Sequence, residues 1–60
     1  MEVAKIAEYA RSLYNAHGDR AEAEAAQKAK QYQDEGNDTE AKTWRSVRRA
    51  ISEIRGARES

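Results

Sequence analysis

The sequence predicts an all-α protein, an up-down-up three-helix bundle. Three observations lead to this prediction: a phrase that occurs twice, apolar residues spaced three and four apart, and the absence of proline. The phrase is Tyr-x-x-x-Gly-x-x-x-Glu-Ala, and its copies begin 18 residues apart, at Tyr14 and Tyr32. In each copy a glycine ends one helix and polar residues begin the next. We therefore predict helices over residues 2–16, 20–35 and 39–55, in one domain spanning residues 1–60.

The first predicted helix carries an apolar stripe that covers about 120° of its circumference, the width of a core-facing surface. The stripe consists of Val3, Ile6, Ala7, Ala10, Leu13 and Tyr14. Gly18 can take the left-handed conformation that closes a helix, and a charged His17 would suit the negative end of the helix dipole. Tyr9 lies at the edge of the stripe, so we expect it at a subunit or partner interface.

The second predicted helix begins at Asp19, the expected N-cap, with Glu22 three residues later as in a capping box. Alanine dominates this segment and gives it a high helix propensity. Its core-facing stripe is thin and consists of Ala21, Ala25, Ala29 and Tyr32. Small side chains of this kind let a neighbouring helix approach closely.

The third predicted helix follows Gly36 and is capped by Asn37 or Asp38. The apolar stripe of this helix is the most apolar surface of the chain. Gly56 is expected to end the helix. The stripe consists of Trp44, Val47, Ile51 and Ile54. Connections of two or three residues predict antiparallel neighbours. A helical hairpin whose third helix is exchanged between protomers is the alternative.

The predicted core is thin, because alanine supplies 12 of the 23 hydrophobic residues. Domains of this size usually need disulfides, a metal or oligomerisation. Cysteine is absent, and a single histidine argues against a structural zinc site. We therefore expect a homo-oligomer, in which dimerisation would complete the bundle, and no cofactor.

The sequence shows no apolar run long enough to span a membrane and no signal-peptide pattern. The absence of cysteine fits a reducing compartment. We predict a cytoplasmic protein that does not bind a membrane.

The charges are segregated along the chain although their sum is zero. Residues 1–40 hold five Lys/Arg and nine Asp/Glu, whereas residues 41–60 hold six and two. Five basic residues fall within about 140° of the third helix: Lys42, Arg45, Arg48, Arg49 and Arg55. This basic face could be solvated or internally paired, or it could bind an acidic protein or a nucleic-acid backbone.

No residue cluster amounts to a catalytic or metal-binding signature. His17 has no serine or cysteine arranged as a nucleophile beside it. The acidic residues lack the spacing of a calcium-binding loop. We therefore expect neither an enzyme nor a small-molecule substrate.

A longer pattern covers nearly the whole chain. It joins His-Gly-Asp, the second glycine joint and the spacing A-x-x-W-x-x-[IV]-x-x-A-I. The residues are Ala10, Leu13, His17, Gly18, Asp19, Ala21, Ala25, Gly36, Asn37, Ala41, Trp44, Val47, Ala50 and Ile51. This pattern resembles a group of small uncharacterised bacterial helical proteins of the domain-of-unknown-function type. The resemblance implies a short cytoplasmic helical protein and transfers no binding residues.

These observations together predict a non-enzymatic module for protein–protein interaction or self-association. Its expected contact residues are Tyr9, Lys42, Arg45, Arg48, Arg49 and Arg55. The alternative is a small nucleic-acid-associated protein that uses the basic face of the third helix.

Overall fold

The computed structural model describes residues 3–58, with side chains described for residues 4–56. It contains α1 (Val3–His17), α2 (Arg20–Asp34) and α3 (Asp38–Arg58), which pack together as the predicted all-α bundle. Where they fall within the described residues, the predicted ends of α1 and α2 are correct to within one residue. The predicted start of the first helix, at residue 2, lies outside the described residues. None of the described helices is long and apolar enough to cross a membrane.

Both joints between helices close through a glycine in the left-handed conformation, as the repeated phrase predicts. Gly18 has a φ of 63°, and its N–H donates to the carbonyl oxygen of Tyr14 at 2.7 Å. Gly36 has a φ of 79°, and the following N–H, that of Asn37, donates to the carbonyl oxygen of Tyr32 at 2.8 Å. The tyrosine of each copy thus supplies the carbonyl that closes its helix. The two copies therefore share a left-handed glycine four residues after the accepting carbonyl, although the donor is the glycine in one and the following residue in the other.

The start of α2 differs from the predicted capping box. Asp19 has helical torsion angles (φ −61°, ψ −21°), and its side chain makes no capping hydrogen bond. The carbonyl oxygen of Gly18 instead accepts the N–H of Ala21 at 3.0 Å. Asp19 therefore occupies the predicted N-cap position, but the side-chain hydrogen bond of a capping box is absent; the carboxylates of Asp19 and Glu22 lie instead against Arg55 of α3.

The start of α3 resolves the choice between two predicted caps. The N–H of Glu40 donates to Oδ1 of Asn37 at 3.3 Å, and the N–H of Ala41 donates to the carbonyl oxygen of Asn37 at 3.0 Å. Asn37 is therefore the N-cap, and Asp38 is the first residue of the helix.

The end of α3 contradicts the predicted stop at residue 55. The helix continues through Gly56 to Arg58. A glycine ends a helix by taking a positive φ, and within the described residues only Gly18 and Gly36 do so. Gly56 stays helical, and good helix formers, Ala57 and Arg58, follow it.

The core lies where α3 crosses the other two helices. Among residues 4–56, the buried apolar residues are Ala10, Ala21, Ala25, Ala29, Ala41, Val47 and Ile51. Val47 and Ile51 are the largest fully buried side chains, so α3 supplies most of the buried volume. The core of the described chain is therefore as thin as the alanine-rich composition predicts.

The helices α2 and α3 form an antiparallel hairpin with a fixed register. Arg45 Nη2 donates to Oε1 of Gln33 at 3.0 Å near one end, and Arg55 contacts Glu22 near the other. Contacts between α1 and α2 are the least extensive of the three helix pairs. The limited contact between them leaves room for a groove.

Candidate functional site

Tyr9 and Trp44 form an edge-to-face aromatic pair between α1 and α3. Their ring centroids lie 5.7 Å apart, and the ring planes are inclined by 79°. Tyr9 is 40% exposed and is the one large apolar side chain among residues 4–56 that remains exposed, whereas Trp44 is half-buried. Tyr9 thus packs against Trp44 and still leaves about two fifths of its surface available for contact.

This aromatic pair lies in a groove between α1 and α2 with a volume of about 440 Å³. We call it the Tyr9–Trp44 groove. It is lined by Tyr9, Leu13, His17, Glu24, Gln27, Lys28, Gln31 and Trp44. The apolar members come from α1 and α3, and α2 supplies a rim of charged and amide side chains. An apolar floor with a few polar groups around it is typical of a binding groove.

The single histidine of the chain contributes to this groove. His17 Nδ1 lies 3.3 Å from Oε1 of Glu24, and this pair connects the end of α1 to the first turns of α2. Both side chains are close to half exposed. No serine, threonine or cysteine belongs to the described lining of the groove. The geometry therefore offers binding contacts and no nucleophile next to the histidine.

Arg55 lies at the opposite end of the α2–α3 hairpin from Gln33. Its guanidinium contacts Oε1 of Glu22 through Nη1 and lies 3.8 Å from Oδ1 of Asp19 through Nε. Glu22 is 24% exposed and Arg55 is 36% exposed, so the ion pair is partly shielded from water. Arg55, which the sequence predicts as a partner contact, is committed to α2 within the chain.

The remaining basic residues of α3 lie on an open surface. We call Lys42, Arg45, Arg48 and Arg49 the cationic surface; all four side chains are exposed. Arg45 donates to the neutral amide of Gln33 and so keeps its charge uncompensated. Within the described residues, Lys42, Arg48 and Arg49 have no carboxylate within ion-pair distance. Of the five basic residues that the sequence places on this face, only Arg55 is thus neutralised by α2 within the described residues.

A shallow depression of about 340 Å³ follows this surface. It is lined by Glu22, Arg45, Arg48, Arg49 and Ser52. Its one carboxylate, that of Glu22, is already paired with Arg55. None of these residues lines the Tyr9–Trp44 groove. The structure therefore separates Tyr9 from the basic residues with which the sequence groups it.

Sequence reasoning missed the groove and four of the α2 residues that line it. Glu24, Gln27, Lys28 and Gln31 occur at spacings of three and four, which places them on one face of α2. That spacing was available in the sequence, but a polar face normally indicates only solvent exposure. The position of Tyr9 off the α1 stripe was the one signal that pointed towards a surface here.

Within the described residues, no three His, Asp or Glu side chains are close enough to hold a metal ion. Comparison of the chain with protein-family models, with curated proteins and with solved structures gives no match. The resemblance to small bacterial helical proteins therefore stays a prediction.

Proposed function

We propose that this chain is a non-enzymatic protein-interaction module that associates with itself through the Tyr9–Trp44 groove. The carrying observation is the exposed ring of Tyr9 set against Trp44 in an open groove with an apolar part and a polar rim. Tyrosine and tryptophan, together with arginine, are enriched among the residues that contribute most to binding at protein interfaces. Their rings bury a large area and lose little conformational freedom on binding.

A second copy of the chain is the occupant that the groove's charge pattern favours. Glu24 and Lys28 lie one turn apart on the rim supplied by α2. A twofold interface brings the same surface of both copies together, so it must be complementary to itself. If the two α2 helices cross antiparallel midway between these residues, Glu24 of each copy faces Lys28 of the other. One acid and one base one turn apart satisfy that requirement.

The thin core gives self-association a stabilising role. Within residues 4–56, the buried set holds five alanines and only two larger side chains. Leu13 and Trp44 are half-buried, and Tyr9 is exposed. Covering these three side chains would bury more apolar surface, and each Å² buried stabilises the dimer by about 25 cal/mol. Dimerisation would thus supply hydrophobic burial that the single chain lacks.

We place the module in the cytoplasm, because its sequence contains no cysteine and so fits a reducing compartment.

The Tyr9–Trp44 groove could instead take a helix of another protein. That outcome is separated from self-association by the experiment described next.

Sedimentation equilibrium of the purified chain tests the proposal. We expect a reversible monomer–dimer equilibrium with a dissociation constant below about 100 μM. That value corresponds to at least about 5.5 kcal/mol of association free energy. Tyr9→Ala should weaken dimerisation at least tenfold, whereas Tyr9→Phe, which keeps the ring, should dimerise within about twofold of the native chain. A native chain that stays monomeric over this range would contradict self-association. Association that Tyr9→Ala leaves unchanged would show that the groove is not the interface.

A further inference from the structure

We propose that the cationic surface of α3 binds the phosphate backbone of nucleic acid without reading its sequence. This activity is separate from self-association, because the two surfaces share no lining residue. The observation that supports it is the set of four exposed basic side chains that no carboxylate of the described chain neutralises.

The chemistry of this surface suits phosphate. Three of its four cations are arginines, whose planar guanidinium offers paired donors that match phosphate oxygens. The hydroxyl of Ser52 lines the same depression and adds another donor. Because Arg55 neutralises Glu22, the only acid in this lining, the depression presents its three arginines without an opposing charge.

The spacing of the cations also fits a repeating anion. Lys42, Arg45 and Arg49 follow one another at intervals of three and four, so successive side chains begin about 5–6 Å apart on one helix face. The row from residue 42 to 49 extends about 10 Å along the axis. Successive phosphates of an extended strand lie at comparable separations, so one helix face can contact two or three of them.

The lining favours nucleic acid over an acidic protein as the occupant. Protein interfaces have an apolar centre inside a polar rim. The depression on α3 has no apolar member, whereas the Tyr9–Trp44 groove contains Tyr9, Leu13 and Trp44. Interfaces with nucleic acid are more polar and much more positive. No aromatic residue lines the depression, so bases would not stack there and binding would depend on the backbone alone.

Fluorescence anisotropy with a labelled mixed-sequence DNA duplex tests this proposal. If each of the four cations neutralises one phosphate, log K should fall with log salt at a slope of about −3.6, so that affinity drops roughly 150-fold between about 50 and 200 mM salt. A second duplex of unrelated sequence should bind equally well. Poly-glutamate serves as the competing acidic polypeptide.

Arg48→Gln/Arg49→Gln is the informative variant, because neither side chain has an ion pair or hydrogen bond within the described chain that folding would lose. It should reduce the salt slope by about 1.8. Lys5→Gln/Arg11→Gln removes the same charge from exposed positions of α1 and should leave the slope unchanged.

Three results would overturn the proposal: no duplex binding at about 50 mM salt, equal effects of the two double variants, or binding of poly-glutamate as tight as that of the duplex. The last result would assign the surface to an acidic protein. None of them bears on the Tyr9–Trp44 groove, because all four substituted residues lie outside its lining.

Discussion

The guanidinium of Arg55 near the end of α3 contacts the carboxylate of Glu22 in the first turn of α2, 33 residues earlier in the chain. Asp19, the residue before α2, lies 3.8 Å from the same guanidinium. Arg45 and Gln33 connect the same two helices near the other end of the hairpin. These polar contacts fix the register of a helix pair whose buried face on α2 is made of alanines, which specify register only weakly.

Neutralising Glu22 tests the contribution of this ion pair. We expect Glu22→Gln to lower the free energy of unfolding by about 1 kcal/mol, because the pair is only partly shielded from water. In a domain of this size that change lowers the Tm by about 4–8 °C. Glu8→Gln removes an acid from an exposed position of α1 and should change the Tm little. Equal effects of the two substitutions in thermal denaturation would show that the Arg55 contact does not stabilise the hairpin.

Gly36 has a positive φ and Gly56 is helical, so replacing each of them by alanine should have opposite effects on stability. Gly36 has a φ of 79°, a conformation that costs alanine about 1–2 kcal/mol, and beyond its two chain neighbours no atom lies within 4 Å of the added Cβ. Gly36→Ala should therefore destabilise the fold through its backbone alone. Gly56 lies inside α3 with equally open surroundings, so Gly56→Ala should stabilise the fold by up to about 1 kcal/mol. Urea denaturation that gave both substitutions the same sign would contradict the observed glycine conformations.

Ile51 tests where the core lies. It is fully buried, and Ile51→Ala should cost about 2–5 kcal/mol. Ile54 is one turn away and half-buried, so Ile54→Ala should cost clearly less. Circular dichroism during urea titration measures both values. A larger loss for Ile54→Ala would show that the core is centred elsewhere on α3.

Much of the fold could be predicted because local chemistry decides it. In both copies of the phrase the glycine takes the left-handed conformation and the tyrosine carbonyl accepts a closing hydrogen bond, and the residues after each glycine begin the next helix. The errors arise where tertiary contacts override a local rule. Asp19 and Glu22 have the spacing of a capping box, but a guanidinium from the distant end of the chain contacts both of them. Gly56 follows the predicted stripe, yet no positive φ ends the helix there.

The candidate surfaces could be predicted only in part. A helical wheel places Lys42, Arg45, Arg48, Arg49 and Arg55 on one arc, and this requires no tertiary information. Which of them α2 neutralises depends on the register of the hairpin. The groove depends on how far α1 and α2 separate, which the sequence does not indicate. Lys28 and Glu24 therefore look like ordinary solvated residues until Tyr9 and Trp44 are found beside them.

The most direct test of self-association through the groove is a mixing experiment with two charge variants. Glu24→Lys places like charges opposite each other in its own symmetric dimer, and so does Lys28→Glu. A heterodimer of the two variants regains both opposite-charge pairs. Lys30→Glu makes the same charge change as Lys28→Glu on α2 but outside the groove lining, and it serves as the matched control.

Sedimentation equilibrium of each variant alone and of their equimolar mixture gives the decisive comparison. We predict that Glu24→Lys and Lys28→Glu each dimerise at least tenfold more weakly than the native chain, that Lys30→Glu dimerises like the native chain, and that the mixture forms heterodimers of native affinity. A mixture that associates no better than its separate components would contradict a twofold interface through the Tyr9–Trp44 groove.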